Sequence, residues 1–154
     1  NTDAQAYEKV ITLTSGSTVS YKITGLATAK EYQFKVRAYR KVDGVTTWGS
    51  SSAAYKDSTK PGQTKSLKAS SKSSAVTLKW NKVTRASGYQ VYRYNSKTKK
   101  YEKLATVKGN ATFSYKNTKL KKGTTVKYKV RAYKTYNGTN YYGAFSDIVS
   151  IKVK

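Results

Sequence analysis

Thr125-Val126-Lys127-Tyr128-Lys129-Val130-Arg131-Ala132-Tyr133 decides how the chain is read. Val126, Tyr128, Val130 and Ala132 alternate with Lys127, Lys129 and Arg131 at a period of two, which predicts a strand with one apolar and one cationic face. The same alternation returns in Val76, Leu78 and Trp80 around Thr77 and Lys79, and in Tyr89 and Val91 around Gln90 and Tyr92. No segment sustains a 3.6-residue pattern. Gly88, Gly109, Gly123 and Gly138 punctuate the runs, and Asn137-Gly138 favours a tight hairpin because both residues tolerate positive φ. Short, evenly spaced strands of this kind predict an all-β, antiparallel two-sheet sandwich.

Matching the decisive stretch against the rest of the chain exposes a repeat. Lys35-Val36-Arg37-Ala38-Tyr39 matches Lys129-Val130-Arg131-Ala132-Tyr133, Ser20-Tyr21-Lys22 matches Ser114-Tyr115-Lys116, and Tyr7-Glu8-Lys9 matches Tyr101-Glu102-Lys103, each pair 94 positions apart. Leu26 with Leu120, Gly44 with Gly138, Gly49 with Gly143 and Asn1 with Asn95 keep the register. A repeat at fixed spacing sets the domain organisation. Residues 64–154 are expected to form a complete copy and residues 1–59 the C-terminal four strands of a preceding one. The single proline, in Lys60-Pro61-Gly62, marks residues 60–63 as linker.

Residues 64–153 resemble a fibronectin type III module: Trp80 in the second strand, Gly88-Tyr89-Gln90-Val91 in the third, Leu120-Lys121-Lys122-Gly123 leading into Tyr128-Lys129-Val130-Arg131-Ala132, and a final strand containing Ser146. The style, rich in Lys, Tyr, Ser and Thr and free of Cys, is similar to copies in secreted and cell-wall proteins of Gram-positive gut bacteria. That resemblance implies an immunoglobulin-like sandwich outside the cell, secreted or wall-attached. The family places a corner Tyr six residues after a Leu. Leu26 and Tyr32 satisfy this, whereas Leu120 is followed by Val126. The first copy lacks counterparts of three strands, including the one bearing Trp80. It should therefore be unstable alone, completed either by upstream residues or by strands from a neighbouring chain in a fibre.

Composition excludes several chemistries. There is no Cys or His, hence no disulfide framework, thiol nucleophile, imidazole base or zinc site of the usual kinds. No cofactor, metal or catalytic residue is expected: the complete copy holds only two carboxylates, Glu102 and Asp147, with nothing to pair them as acid and base, and no phosphate loop precedes a helix. The chain reads as non-enzymatic. No run approaches the roughly 20 apolar residues of a membrane span.

Charge is the other strong signal, with 31 Lys and Arg against 7 Asp and Glu. Residues 1–59 carry eight basic and five acidic side chains; residues 60–154 carry twenty-three and two. Such a surface attracts polyanions in a salt-dependent way. In the topology the resemblance implies, Lys72, Lys97, Lys99, Lys100, Lys119, Lys121 and Lys122 converge on one pole. They form a candidate site for an anionic wall polymer, or simply a solvated end that keeps repeats apart. Tyr92 and Tyr94 beside Lys127, Lys129, Arg131 and Tyr133 form a candidate face for stacking on polysaccharide, or a set of cation–tyrosine contacts serving the fold. Tyr136, Tyr141 and Tyr142, with Trp48 at the first-copy position of Tyr142, are candidates for glycan or inter-repeat contact. The expected partners are neighbouring repeats, other copies of the chain in a fibre, and a polysaccharide or wall polymer. Nucleic acid is not expected, because charge alone carries no base readout. The function these readings support is a structural or adhesion repeat acting as a spacer, with an accessory binding module as the alternative.

Overall fold

The computed structural model describes residues 7–154, so the correspondence of Asn1 with Asn95 lies outside the described residues. Twelve strands and no helix are present among them, and the chain divides into two compact units. Of the described residues, unit 1 comprises 7–26 and 31–57; unit 2 comprises 27–30 and 58–154.

Unit 2 is a sandwich of two antiparallel sheets. Strands β5 (Lys68–Lys72), β6 (Ala75–Lys79) and β9 (Ser114–Asn117) form one in the order β5-β6-β9. The other runs β11 (Thr139–Tyr142), β10 (Thr125–Tyr136), β7 (Gly88–Asn95), β8 (Lys100–Lys108), with β12 (Val149–Lys152) also on β10. The period-two pattern explains the layers, since inward-alternating residues form the buried core: Val76, Leu78 and Trp80 from one sheet, Tyr89, Val91, Tyr128, Val130 and Ala132 from the other, with Val126 partly buried beside them. Trp80 packs edge-on against Tyr89 with ring centroids 5.3 Å apart. Both buried tyrosines find polar partners for their hydroxyls: the Val83 N–H donates to Tyr89 Oη at 2.8 Å, and Asn117 Nδ2 donates to Tyr128 Oη at 2.9 Å. Asn137 and Gly138 turn the β10–β11 hairpin with φ of 46° and 75°, as the dipeptide predicts.

The final edge of unit 2 is interrupted between β11 and β12. In the gap the Val130 N–H donates to Ser146 Oγ at 3.0 Å, and the Ser146 N–H returns a bond to the Val130 carbonyl at 2.7 Å. Gly143 comes in close here: a Cβ at this position would stand 2.6 Å from the Gly62 carbonyl oxygen and 2.8 Å from that of Pro61. Gln63 Nε2 donates to the Phe145 carbonyl at 3.0 Å, and the Ala29 N–H to the Lys60 carbonyl at 3.0 Å, so residues 60–63 are held within this unit.

Unit 1 holds β1 (Glu31–Phe34), β2 (Arg37–Val42), β3 (Val45–Ser51) and β4 (Tyr55–Ser58), paired as β1-β4 and β2-β3. These are the counterparts of β10, β11 and β12. Residues 7–30, which align with β8, β9 and the loop after it, carry turns but no strand. The reason is visible in unit 2, where β8 pairs with β7 and β9 pairs with β6. Unit 1 has no counterpart of β6 or β7, so these segments have nothing to ladder against.

Candidate functional site

The outward face of the five-stranded sheet concentrates the chemistry. Antiparallel pairing places Gln90 opposite Arg131 and Tyr92 opposite Lys129 across β7 and β10, and Lys103 opposite Tyr92 and Tyr101 opposite Tyr94 across β7 and β8. Directly opposed residues share a face, so one period-two rule brings cations and rings into contact.

Arg131 is the centre of this face. Its Nε donates to Gln90 Oε1 at 3.0 Å and its Nη2 to Tyr92 Oη at 2.9 Å, while Tyr92 Oη donates to the same Gln90 oxygen at 3.2 Å. The guanidinium lies 4.0 Å from the ring centroid of Tyr142, 4.9 Å from Phe145 and 5.3 Å from Tyr92. Along the strand, Lys129 Nζ sits 4.1 Å from the Phe145 ring and 4.5 Å from Tyr101, and Lys127 Nζ sits 5.8 Å from Tyr94. Tyr92 and Phe145 meet edge to face at 5.0 Å, and Tyr94 and Tyr101 are tilted against each other at 5.2 Å. Burial, with Tyr94 beside it, raises the Tyr101 hydroxyl pKa above the ordinary tyrosine value. The rings of Tyr92, Tyr94, Tyr101, Tyr142 and Phe145 each carry a cation or another ring.

Unit 1 repeats two of these contacts. Arg37 lies 4.0 Å from the Trp48 ring, as Arg131 does from Tyr142, and Lys35 lies 4.6 Å from Tyr7, as Lys129 lies from Tyr101. The Val36 N–H donates to Ser52 Oγ at 3.1 Å and Ser52 N–H to the Val36 carbonyl at 2.8 Å, the same exchange as Val130 with Ser146.

Tyr136, Tyr141 and Tyr142 do not make one patch. Register across β10 and β11 sets Tyr142 opposite Tyr133 on the outward face, whereas Tyr141 opposes Lys134 and Tyr136 opposes Thr139 on alternating positions. Trp48 occupies the Tyr142 role in unit 1. Gln90, Tyr101 and Phe145 belong to the face but escaped sequence reading. Tyr101 was detectable from alternation within Tyr101-Glu102-Lys103, whereas Phe145 lies outside any strand and gave no signal.

The lysines occupy the turns and strand ends at one end of unit 2. Lys72 closes β5, Lys97 and Lys99 lie in the β7–β8 turn, Lys100 opens β8, and Lys119, Lys121 and Lys122 lie between β9 and β10. The Leu120 N–H donates to the Ser74 carbonyl at 2.9 Å, tying the turn after β5 to the loop after β9. Within the β7–β8 turn, Glu102 accepts from Asn95 Nδ2 at 2.9 and 3.0 Å and from Thr98 Oγ1 at 2.7 Å. The bonds from Asn95 first, then Thr98, hold its carboxyl pKa below the ordinary value. Among the described residues no group of three or more acidic side chains could hold a metal ion, and no helix is long and apolar enough to cross a membrane.

No protein-family model and no curated protein matches the chain by sequence. Solved structures do. A two-domain fibronectin type III segment from chicken tenascin is 21% identical with a TM-score of 0.55, covering 84% of this chain and 67% of that one. Three fibronectin type III domains of chicken CNTN1 are 21% identical with a TM-score of 0.54, covering 87% of this chain and 44% of that one. A Fn3-like protein from Clostridium thermocellum is 27% identical with a TM-score of 0.44, covering 56% and 88%. The fold is the antiparallel sandwich of fibronectin type III domains.

Proposed function

We propose that this chain is a non-catalytic, extracellular structural repeat, serving as a spacer or adhesion segment of a larger surface or secreted protein. The observation that carries this reading is the internal saturation of the cation–aromatic face. Arg131 donates to Gln90 and Tyr92, its guanidinium lies against the rings of Tyr142 and Phe145, and one of these contacts recurs in unit 1, where Arg37 lies over Trp48. A face built to stack on sugar leaves its ring surfaces open. Here the rings serve as packing partners for charges, at about 0.5–1 kcal/mol per contact at exposed sites. The mechanism is mechanical: a sandwich closed by a buried core and a cross-linked outer face transmits force and holds its neighbours apart.

The second reading is a polyanion-binding module, favoured by the lysine-bearing turns that the Leu120–Ser74 bond ties together and by the +24 formal charge of the chain. Its natural target is an anionic wall polymer, bound through Lys72, Lys97, Lys99, Lys100, Lys119, Lys121 and Lys122.

One experiment separates the two. The full chain is applied to an array of neutral polysaccharides and polyanions at low and physiological salt. The spacer reading expects no saturable binding. Polyanion binding that falls steeply as salt rises supports the second reading, since released counterions drive it. Saturable binding of a neutral glycan, unchanged by salt and lost in a Tyr92→Ser, Tyr94→Ser variant, overturns both.

A further inference from the structure

The two sheets of unit 2 treat their outward cations differently. On the five-stranded sheet Lys127, Lys129 and Arg131 each lie against an aromatic ring. On the three-stranded sheet, register aligns Lys68 with Lys79 and Ser114 in one row, and Ser70 with Thr77 and Lys116 in the next. Alternation puts all six on the outward side, opposite the buried Val76 and Leu78, and Lys72 continues that side along β5. β5, β6 and β9 contain no carboxylate and no arginine, and their one ring, Tyr115, packs against the core. Among the described residues, Lys68, Lys72, Lys79 and Lys116 have no ion pair and no ring contact.

This arrangement weakens the fold rather than building it. Like charges set directly opposite each other, as Lys68 and Lys79 are, destabilise a sheet. The two carboxylates of residues 60–154, Glu102 and Asp147, lie outside these strands. The counter-charge for the rows must come from another molecule. A groove of about 680 Å³ lies on this face, bordered by Ser70, Lys72, Thr77, Lys116 and Thr118. Lysine meets a tetrahedral phosphate as a point charge and hydroxyls donate to its oxygens, whereas planar carboxylates favour the arginine fork that this face lacks. Without rings the face has no platform for stacking bases or sugars. The rows stand about 7 Å apart, two residues at the antiparallel rise, so successive anionic groups of one chain can meet successive rows.

We propose that the outward face of β5, β6 and β9 binds a flexible phosphodiester chain without bases, held by Lys68, Lys79 and Lys116 and by the hydroxyls of Ser70, Thr77 and Ser114. The proposal rests on the polyanion reading for its class of ligand and moves the contact to a surface separate from the lysine-bearing turns, with Lys72 alone common to both.

The test measures binding of poly(glycerol phosphate) to the full chain by calorimetry between about 50 and 200 mM salt. Two variants remove three charges each: Lys68→Gln, Lys79→Gln, Lys116→Gln on the face, and Lys97→Gln, Lys99→Gln, Lys122→Gln in the turns. The face variant should lose about 10-fold or more in affinity, and its slope of log affinity against log salt should shrink by about 2, as three lost phosphate contacts on a single strand require. The turn variant, of equal net charge, should lose less than about 3-fold, the share due to the overall field. Without polymer, the face variant should melt no lower than the parent, since it relieves the Lys68–Lys79 repulsion. Equal losses in both variants overturn the proposal in favour of diffuse attraction by net charge. Loss confined to the turn variant overturns it while leaving the polyanion reading in place, and no binding by the parent removes both. A face variant that melts markedly lower than the parent assigns the lysines to the fold and also overturns it. So does tighter binding of an oligothymidylate of equal charge, which makes a nucleic acid the occupant.

Discussion

Replacing Arg131 measures how much of the cation–aromatic face belongs to the fold. Arg131→Met keeps the aliphatic stem and removes the fork. It deletes two half-buried hydrogen bonds, to Gln90 at 3.0 Å and Tyr92 at 2.9 Å, each worth about 0.5–1.5 kcal/mol net. It also removes the cation from the rings of Tyr142 and Phe145, about 0.5 kcal/mol each at a site open to solvent. The expected loss is about 2–4 kcal/mol, a fall of about 1–2 M in the urea midpoint at a slope of about 2 kcal/mol per M. Arg131→Lys keeps the charge but not the planar two-point geometry, and should lose about half as much. The assay is equilibrium urea unfolding of the full chain followed by Trp80 fluorescence, in a Trp48→Phe background so that unit 2 alone is read. A loss under about 0.5 kcal/mol for Arg131→Met, or Arg131→Lys indistinguishable from the parent, would refute the assignment of this face to packing and return the rings to ligand binding.

Gly143→Ala drives a Cβ against the carbonyl oxygens of Pro61 and Gly62, backbone atoms that cannot rotate aside. Differential scanning calorimetry should show unit 2 destabilised by about 1–3 kcal/mol, whereas Gly49→Ala, whose Cβ meets only the Ala38 carbonyl at 3.6 Å, should not shift its own unit comparably. Burial raises the Tyr128 hydroxyl pKa above the ordinary tyrosine value, so its contribution to stability is complete below the unfolded pKa near 10 and is lost as pH climbs through the higher folded value. Alkaline unfolding of unit 2 should steepen there and flatten in Tyr128→Phe, which at neutral pH costs about 1–3 kcal/mol by stranding the Asn117 amide. Glu102 behaves in the opposite sense. Its lowered pKa means the turn is intact above the ordinary carboxylate value and loosens as pH falls through the folded one, a midpoint that carboxyl NMR titration should move upward in Asn95→Ala.

The sandwich was legible because burial in unit 2 largely follows a period of two. Val126 to Ala132 and Val76 to Trp80 announce which residues point inward before any coordinates are known, and the Asn137-Gly138 pair fixes the hairpin register. The cationic strand face was legible for the same reason, since the outward positions are what alternation leaves over. The contacts of that face were not. Whether a tyrosine is free or covered depends on which strand lies beside it, and the register shift between Val91 and Tyr92 opposite β8 decides that Tyr101 faces Tyr94. Phe145 enters from a segment that is no strand, positioned by the Ser146 exchange and by Gln63. In unit 1 the aligned sequence of residues 7–30 looks as strand-like as its counterpart, yet strand formation needs a partner as well as a pattern.

The broken edge of unit 2 has a consequence for life among many copies. A sheet ending in one long, regular strand offers a row of unused amides on which a foreign strand can grow. Here β11 stops at Tyr142, β12 starts at Val149, and between them Ser146 turns a side-chain oxygen inward to satisfy the Val130 amide. An incoming strand would find two four-residue strands separated by residues 143–148, the second ending in Lys152. The same serine that closes the sandwich thereby breaks this edge as a template for strand addition, so edge-to-edge growth is confined to the opposite edge of the sheet, where β8 runs.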